Sequence, residues 1–238
     1  MTEYFNELGQ PVGAPVTDWK PASLPTDCVL TGEYCRVERL DPKLHSADLF
    51  AANMTDARGA NWTYLPYGPF AELPSYRVWL DEIAVRSDPM FFAVVDAVTQ
   101  RAVGVASYLR IDPEAGSIEV GHINFSPLLQ QKRAGTEAMF LMMKHVFEDL
   151  AYRRYEWKCN ALNGASRDAA LRLGFSYEGT FRHSGVVKGR NRDTAWFAVT
   201  DDDWPRLKQA FATWLEPGNF DSDGVQVSPL LARQQSQG

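Results

Sequence analysis

The run Ser117-Ile118-Glu119-Val120-Gly121-His122-Ile123-Asn124-Phe125, followed by Ser126-Pro127, Leu128 to Gly135 and then Thr136-Glu137-Ala138, decides how this chain is read. Ser117 to Phe125 has the composition of a strand. From Ala134 to Leu150, the residues Ala138, Leu141, Met142, Val146 and Leu150 recur at helical spacing. A strand feeding a loop at a helix N-terminus aims unpaired N–H groups and the positive end of the helix dipole at one point. That makes an anion site suited to a diphosphate. Gly135 taken alone is more often the relief of crowding at a strand-to-helix turn, so the junction by itself leaves both readings open.

Working outward, Met90 to Asp96 and Ala102 to Ile111 read as strands that join Ser117 to Phe125 in an antiparallel meander. Upstream, Glu33 to Leu40 reads as a strand. Pro42 to Asn53 reads as a helix capped by Asp41 with proline at its first position. An aromatic, proline-rich loop from Trp62 to Phe70 precedes a second helix, Pro74 to Arg86. Downstream come a strand Tyr152 to Cys159, a helix Ala165 to Leu173 closed by Gly174, a strand pair Phe175 to Val187 and Asp193 to Thr200, and a helix Trp204 to Leu215. This order predicts an α+β fold, a mixed and mainly antiparallel central sheet flanked by helices. Four prolines between Pro11 and Pro25 suggest an extended N-terminal arm over 1–32, with Trp19 and Leu24 lying against the body. The expected domain is 33–216, and 217–238, rich in Gly, Ser, Gln and Asp, is expected to be a flexible tail.

Composition excludes several classes. Among 238 residues, 45% are hydrophobic, enough for a substantial core, and the formal net charge of -6 argues against nucleic acid or an anionic membrane as partner. Local basic clusters at Gln131-Lys132-Arg133 and Lys188-Gly189-Arg190-Asn191-Arg192 still leave room for a small anion. Three scattered cysteines, Cys28, Cys35 and Cys159, suggest no disulfide framework and no zinc spacing. Without a signal-like start or a long apolar run, the expectation is a soluble cytoplasmic protein.

Two segments resemble a known family. Gln130-Gln131-Lys132-Arg133-Ala134-Gly135-Thr136-Glu137-Ala138 is similar to the pyrophosphate loop of GNAT acetyltransferases, Gln/Arg-x-x-Gly-x-Gly/Ala before a helix, with Arg133 standing where the first glycine belongs. Asn163 and Ser166, then Leu173-Gly174-Phe175 and Glu178-Gly179, fall in register with a second GNAT segment. The resemblance spans roughly Glu33 to Leu215 and is nearest to the Rim-type (RimJ/RimL-like) acetyltransferases of ribosomal-protein N-termini. It implies acetyl-CoA as co-substrate, no metal, and a primary amine acceptor, either a protein N-terminus or a small molecule.

The resemblance also assigns residues. His122, Ile123 and Asn124, at a bulged strand end, would meet the thioester carbonyl and the pantetheine through their backbones. Gln130, Lys132, Arg133, Ala134, Gly135 and Thr136 would hold the diphosphate. Asn163 would bind the pantetheine arm, and Ser166 would meet the coenzyme or the departing sulfur. Glu119 is the candidate general base through water, because an α-amino group needs only a modest push. His122 is the understudy; regular alternation places it with Asn124 rather than with Glu119, and a bulge would realign them. Each has a plainer alternative: Glu119 as a solvated strand residue, Asn163 and Ser166 as helix caps, and Tyr177, a candidate acid, as packing. Met139, Met142 and Met143 read as core, and Cys159 as a small buried hydrophobe. The aromatics Trp62, Tyr64, Tyr67 and Phe70 either line the acceptor cleft or seal the core edge. Two other classes stay in view: an acyl-CoA-binding module without turnover, motivated by Arg133, and a scaffold using the aromatic loop. Exposed aromatics leave a homodimer open.

Overall fold

In chain order the strands are β1 (Tyr4–Phe5), β2 (Pro11–Val12), β3 (Val29–Thr31), β4 (Cys35–Arg39), β5 (Met90–Asp96), β6 (Ala102–Asp112), β7 (Ser117–Phe125), β8 (Arg154–Asn160), β9 (Ser176–Val187) and β10 (Arg190–Thr200). The helices are α1 (Pro42–Asn53), α2 (Leu73–Ala84), α3 (Arg133–Lys144), α4 (Gly164–Arg172) and α5 (Trp204–Leu215). The computed structural model describes residues 3–230 and Ala232. β1 and β2 form a separate hairpin, and the other eight strands make one sheet in the order β3-β4-β5-β6-β7-β8-β10-β9. All neighbours in that sheet are antiparallel except β7 and β8, which run parallel and are linked through α3. The fold is the expected α+β arrangement.

Strand alternation divides the core between the two faces. Phe92, Val94, Ala106, Tyr108, Ile118 and Val120 pack with α3 and α5 on one face. Phe91, Ala93, Val95 and Val105 pack with α1, α2 and the Trp62 loop on the other. On α3, Ala138, Met139, Met142 and Met143 are all buried, so the methionines are core. Asp41 caps α1 as expected, its Oδ1 accepting from the Lys43 N–H at 2.8 Å. Among the described residues, no helix is long and apolar enough to cross a membrane.

Three stretches differ from expectation. The arm is not merely extended, because it contributes the β1–β2 hairpin and the edge strand β3, which pairs with β4. Trp19 does lie against the body, under the Arg153 guanidinium at 5.8 Å, whereas Leu24 is exposed. The helix predicted to Leu150 keeps α geometry only to Lys144; His145–Asp149 form a wider π turn, with His145 Nδ1 2.8 Å from Asp149 Oδ2. Part of the predicted tail lies against the core: Phe220 packs on it, Leu230 and Ala232 are buried, and Trp214 Nε1 donates to Gln226 at 2.9 Å, while 221–229 are exposed. The remainder of that tail, 231 and 233–238, is outside the described residues.

One buried group positions α3. The Glu137 carboxylate accepts from the backbone N–H groups of Glu33, Tyr34 and Cys35 at 2.8, 2.7 and 2.8 Å, so the turn between β3 and β4 closes around it. Gly32 is required there, since a Cβ would come within 2.3 Å of the Glu137 carboxyl carbon. Glu137→Ala leaves these amides without their acceptor and is expected to lower unfolding free energy by about 2–3 kcal/mol. Glu137→Gln is expected to cost less. Urea denaturation midpoints at unchanged slope check both, and equal stability of all three proteins would refute the clamp.

Candidate active site

β7 and β8 pair only from Ser117↔Arg154 to Val120↔Trp157. Beyond that point β7 bulges: Gly121 opposes Ser107 and Asn124 opposes Val105, so His122 and Ile123 together face the single residue Ala106. The extra residue is absorbed by His122 at φ 50, and the strand bends away from β8. Among the described residues, no strand pairs with Gly121–Phe125 on the side that faces the opening. The result is a cleft of about 1300 Å³. Its walls near the bulge are Ile123, Asn124 and Phe125 on β7, Trp157 on β8, and Asn163 and Ser166 at the start of α4.

The loop from Leu128 to the start of α3 forms the floor. Lys132 is the N-cap of α3 without a side-chain cap bond, and the N–H groups of Arg133 and Ala134 have no acceptor among the described residues. Gly135 allows the close turn, since a Cβ would sit 2.8 Å from the Leu129 carbonyl oxygen. The Gln130 side chain donates to Asn61 Oδ1 at 2.7 Å and to the Phe125 carbonyl at 2.8 Å, tying the loop to the end of β7. Arg133 does not fill the loop. Its guanidinium rests on Tyr34, 4.4 Å from the ring centroid, and near Phe220 at 5.2 Å. From α4, Arg172 donates to Thr136 Oγ1 at 3.0 Å.

The structure gathers Ile123, Asn124, Gln130, Lys132, Arg133, Ala134, Gly135, Thr136, Asn163 and Ser166 around this cleft. Asn163 is also the cap of α4, accepting from the Ser166 N–H at 3.2 Å. Ser166 Oγ accepts from Trp157 Nε1 at 3.0 Å, so its own O–H is left to donate. Asn124 is buried and its Oδ1 has no partner, which suits a ligand N–H. Unpaired amides at one end and an unmet acceptor near the bulge fit a ligand carrying phosphates and amides. Tyr177 does not join them: it is half exposed, its hydroxyl 2.8 Å from Thr180 Oγ1 and its ring on Phe197.

Glu119 and His122 lie beside the cleft rather than in its lining. The bulge brings both to the sheet face that carries α1 and α2, where regular alternation would have separated them. Glu119 is buried, and its Oε2 meets Arg110 at 2.7 Å and the buried Lys158 at 2.9 Å. Lys158 also meets Glu156 Oε2 at 2.6 Å and lies under the Trp196 ring at 3.7 Å, while Arg154 Nε continues the row to Glu156 Oε1 at 2.7 Å. Burial raises the Glu119 pKa, and Arg110 and Lys158 oppose that rise. Sequence reading missed this row of charges. Its signal was the alternation of Arg154, Glu156 and Lys158 with the buried Tyr155, Trp157 and Cys159.

The aromatic loop divides its duties. Trp62 is buried against Phe70 and Tyr76, sealing the core. Tyr64 borders the cleft and donates to the Leu162 carbonyl at 3.1 Å. Tyr67 stacks on His122, with its hydroxyl 3.0 Å from Nδ1. The basic cluster after β9 reaches the same loop: Lys188 Nζ donates to the Trp62 carbonyl at 2.8 Å.

Chains of known structure share this architecture. The family model described as an acetyltransferase (GNAT) domain matches residues 37–176. The crystal structure of a GCN5-related N-acetyltransferase from Brucella melitensis is 46% identical, with TM-score 0.88, covering 90% of this chain and 97% of that one. An acetyltransferase of the GNAT family from Chromobacterium violaceum is 38% identical, with TM-score 0.76, covering 82% of this chain and 98% of that one. The ribosomal alpha-N-protein acetyltransferase RimL, 17% identical with TM-score 0.63 over 76% of this chain and 98% of its own, shares the fold. No curated protein matches.

Burial, then Arg110, Arg192 and Arg86, hold the His122 imidazole down at about 4, against an ordinary value of 6.5. The unfolded chain therefore takes up this proton first as pH falls. Stability owed to neutral His122 is full above 6.5 and is lost as pH drops toward 4. Ring nitrogen NMR should find His122 neutral at pH 6, and His122→Gln should flatten the stability slope between those values. A ring that titrates near 6.5 would refute the assignment.

Proposed function

The chain belongs to the GNAT acetyltransferase family, and from that premise we propose that it transfers acetyl from acetyl-CoA to a primary amine by direct attack in a ternary complex. The observation that carries this reading is the parting of β7 and β8 beside an α3 whose first amides are unpaired. In this reading the N–H groups of Arg133 and Ala134, with Lys132, Gly135, Thr136 and Gln130 shaping the loop, hold the diphosphate. Ile123, Asn124 and Asn163 flank the pantetheine, and Asn124 Oδ1 accepts one of its amide N–H groups. Backbone groups at the His122 bulge polarise the thioester carbonyl. The proposed catalytic unit is 33–216, extended by Val29–Thr31 and by the tail residues that lie on the core.

The amine lone pair forms the new C–N bond as the C–S bond breaks. The nitrogen's proton goes to Glu119 through water and on to solvent, and the departing thiolate, steadied by a hydrogen bond from the Ser166 hydroxyl, takes one proton back from solvent. Glu119 suits its part because Arg110 and Lys158 favour its ionised form while burial makes it more basic than an exposed carboxylate. His122, neutral over the physiological range, is the second base on the same face. The acceptor is either a protein N-terminus or a small-molecule amine; rates with N-terminal peptides against a panel of small amines separate them. A coenzyme-binding module without turnover is the alternative, favoured by the tight ion pairing of Glu119.

Glu119→Gln is expected to lower kcat roughly a hundredfold while leaving the calorimetric Kd for acetyl-CoA nearly unchanged. Undiminished turnover would remove Glu119 from the chemistry, and binding with no thiol release from any amine would favour the module. Lys158→Met removes one of the two cations and should shift the acid limb of the kcat/KM profile to higher pH, with Lys158→Arg restoring it. A limb that stays in place would show that Lys158 only packs.

A further inference from the structure

The far end of the cleft, on α5 and the segment after it and so beyond the matched region 37–176, is built from parts that no diphosphate loop requires. Tyr34, Trp214 and Phe220 to Gln226 close it, the last of these from the segment that follows α5. Trp214 and Phe220 meet edge to face at 5.0 Å, and Trp214 Nε1 is fixed by Gln226. Two guanidinium groups are held against these rings: Arg133 on Tyr34 and Phe220, and Arg172 5.0 Å from the centroid of Trp214. Among the described residues, neither arginine has a carboxylate within ion-pair distance, although Glu33, Asp168 and Asp223 also border the cleft. Arg172 is half buried, and burial alone holds its pKa below the usual value. Retaining an unneutralised, desolvated guanidinium is costly unless an anion completes it.

We infer that this end of the cleft is a subsite for the 3′-phosphate of the coenzyme's adenosine, with Arg133 and Arg172 as its cations and Phe220 and Trp214 as the wall beside the purine. The inference rests on the reading that the cleft takes acetyl-CoA. The α3 amides provide for the diphosphate, which leaves the side-chain cations for the third phosphate. A guanidinium presents a planar set of donors that matches phosphate oxygens, and aromatic rings offer a purine a stacking surface. The arginine that occupies the first glycine position of the loop thereby has a task, and the segment after α5 becomes part of the coenzyme site.

Titration calorimetry of the full chain with CoA and with dephospho-CoA, which lacks only that phosphate, tests the subsite directly. CoA is expected to bind at least roughly tenfold more tightly. In Arg133→Gly the ratio should fall toward one, whereas Phe220→Ala, which removes a wall of the purine, should weaken CoA and dephospho-CoA alike. Equal affinity of the unaltered protein for the two compounds overturns the subsite and leaves the acetyltransferase reading intact. Binding of neither overturns both. A full tenfold ratio retained in Arg133→Gly removes Arg133 from the subsite.

Discussion

Two parallel strands that begin as neighbours and then separate leave backbone groups on both edges without partners, and the remainder of this fold is arranged around that gap. β7 and β8 share four residue pairs and no more. The separation follows from the bulge at His122, which bends β7 while β6 continues to support it on the other side. Since parallel neighbours need a crossover, the chain must pass over one face between them, and α3 is that crossover. Its N-terminus therefore opens where the strands part. A helix end with unpaired amides and the open cleft beside it come from one topological requirement.

The two faces of the sheet do different work. On the α3 face, apolar packing of Ile118, Val120, Tyr155 and Trp157 holds β7 and β8 together up to the point of divergence. On the opposite face the same strands carry Glu119, Glu156 and Lys158, and these charges are buried by each other and by Trp196 instead of by a helix. A buried ion row is poor stabilisation compared with hydrocarbon. The row does set the charge of Glu119, whose protonation is disfavoured by the Arg110 and Lys158 cations. That row includes the pair Glu119↔Glu156, one step before the last pair ahead of the gap.

Much of this was legible from local pattern. The meander strands β5, β6 and β7, the Asp41-Pro42 start of α1 and the whole of α5 follow from apolar runs bounded by turn and cap residues, which are signals contained within a few positions. The residues lining the cleft were found because the loop and the α4 segment resemble a family in register. What escaped were relations between distant positions. The Glu137 clamp joins residues 102 to 104 apart and leaves no periodic trace. The α-left conformation of His122 depends on its register with β6, so the parity that set His122 apart from Glu119 could not be resolved along a single strand. Low complexity after α5 signalled a free tail, a composition that does not reveal the burial of Leu230 and Ala232 or the Gln226 bond to Trp214.

The Glu137 carboxylate grips Tyr34 through its backbone N–H, and the ring of that same tyrosine is the surface on which Arg133 rests. The closure of the β3–β4 turn and the placement of the Arg133 guanidinium at the border of the cleft thus hang on one residue. A ligand that binds the folded protein alone raises its melting temperature by mass action, and it would do so visibly in a protein weakened at the β3–β4 turn.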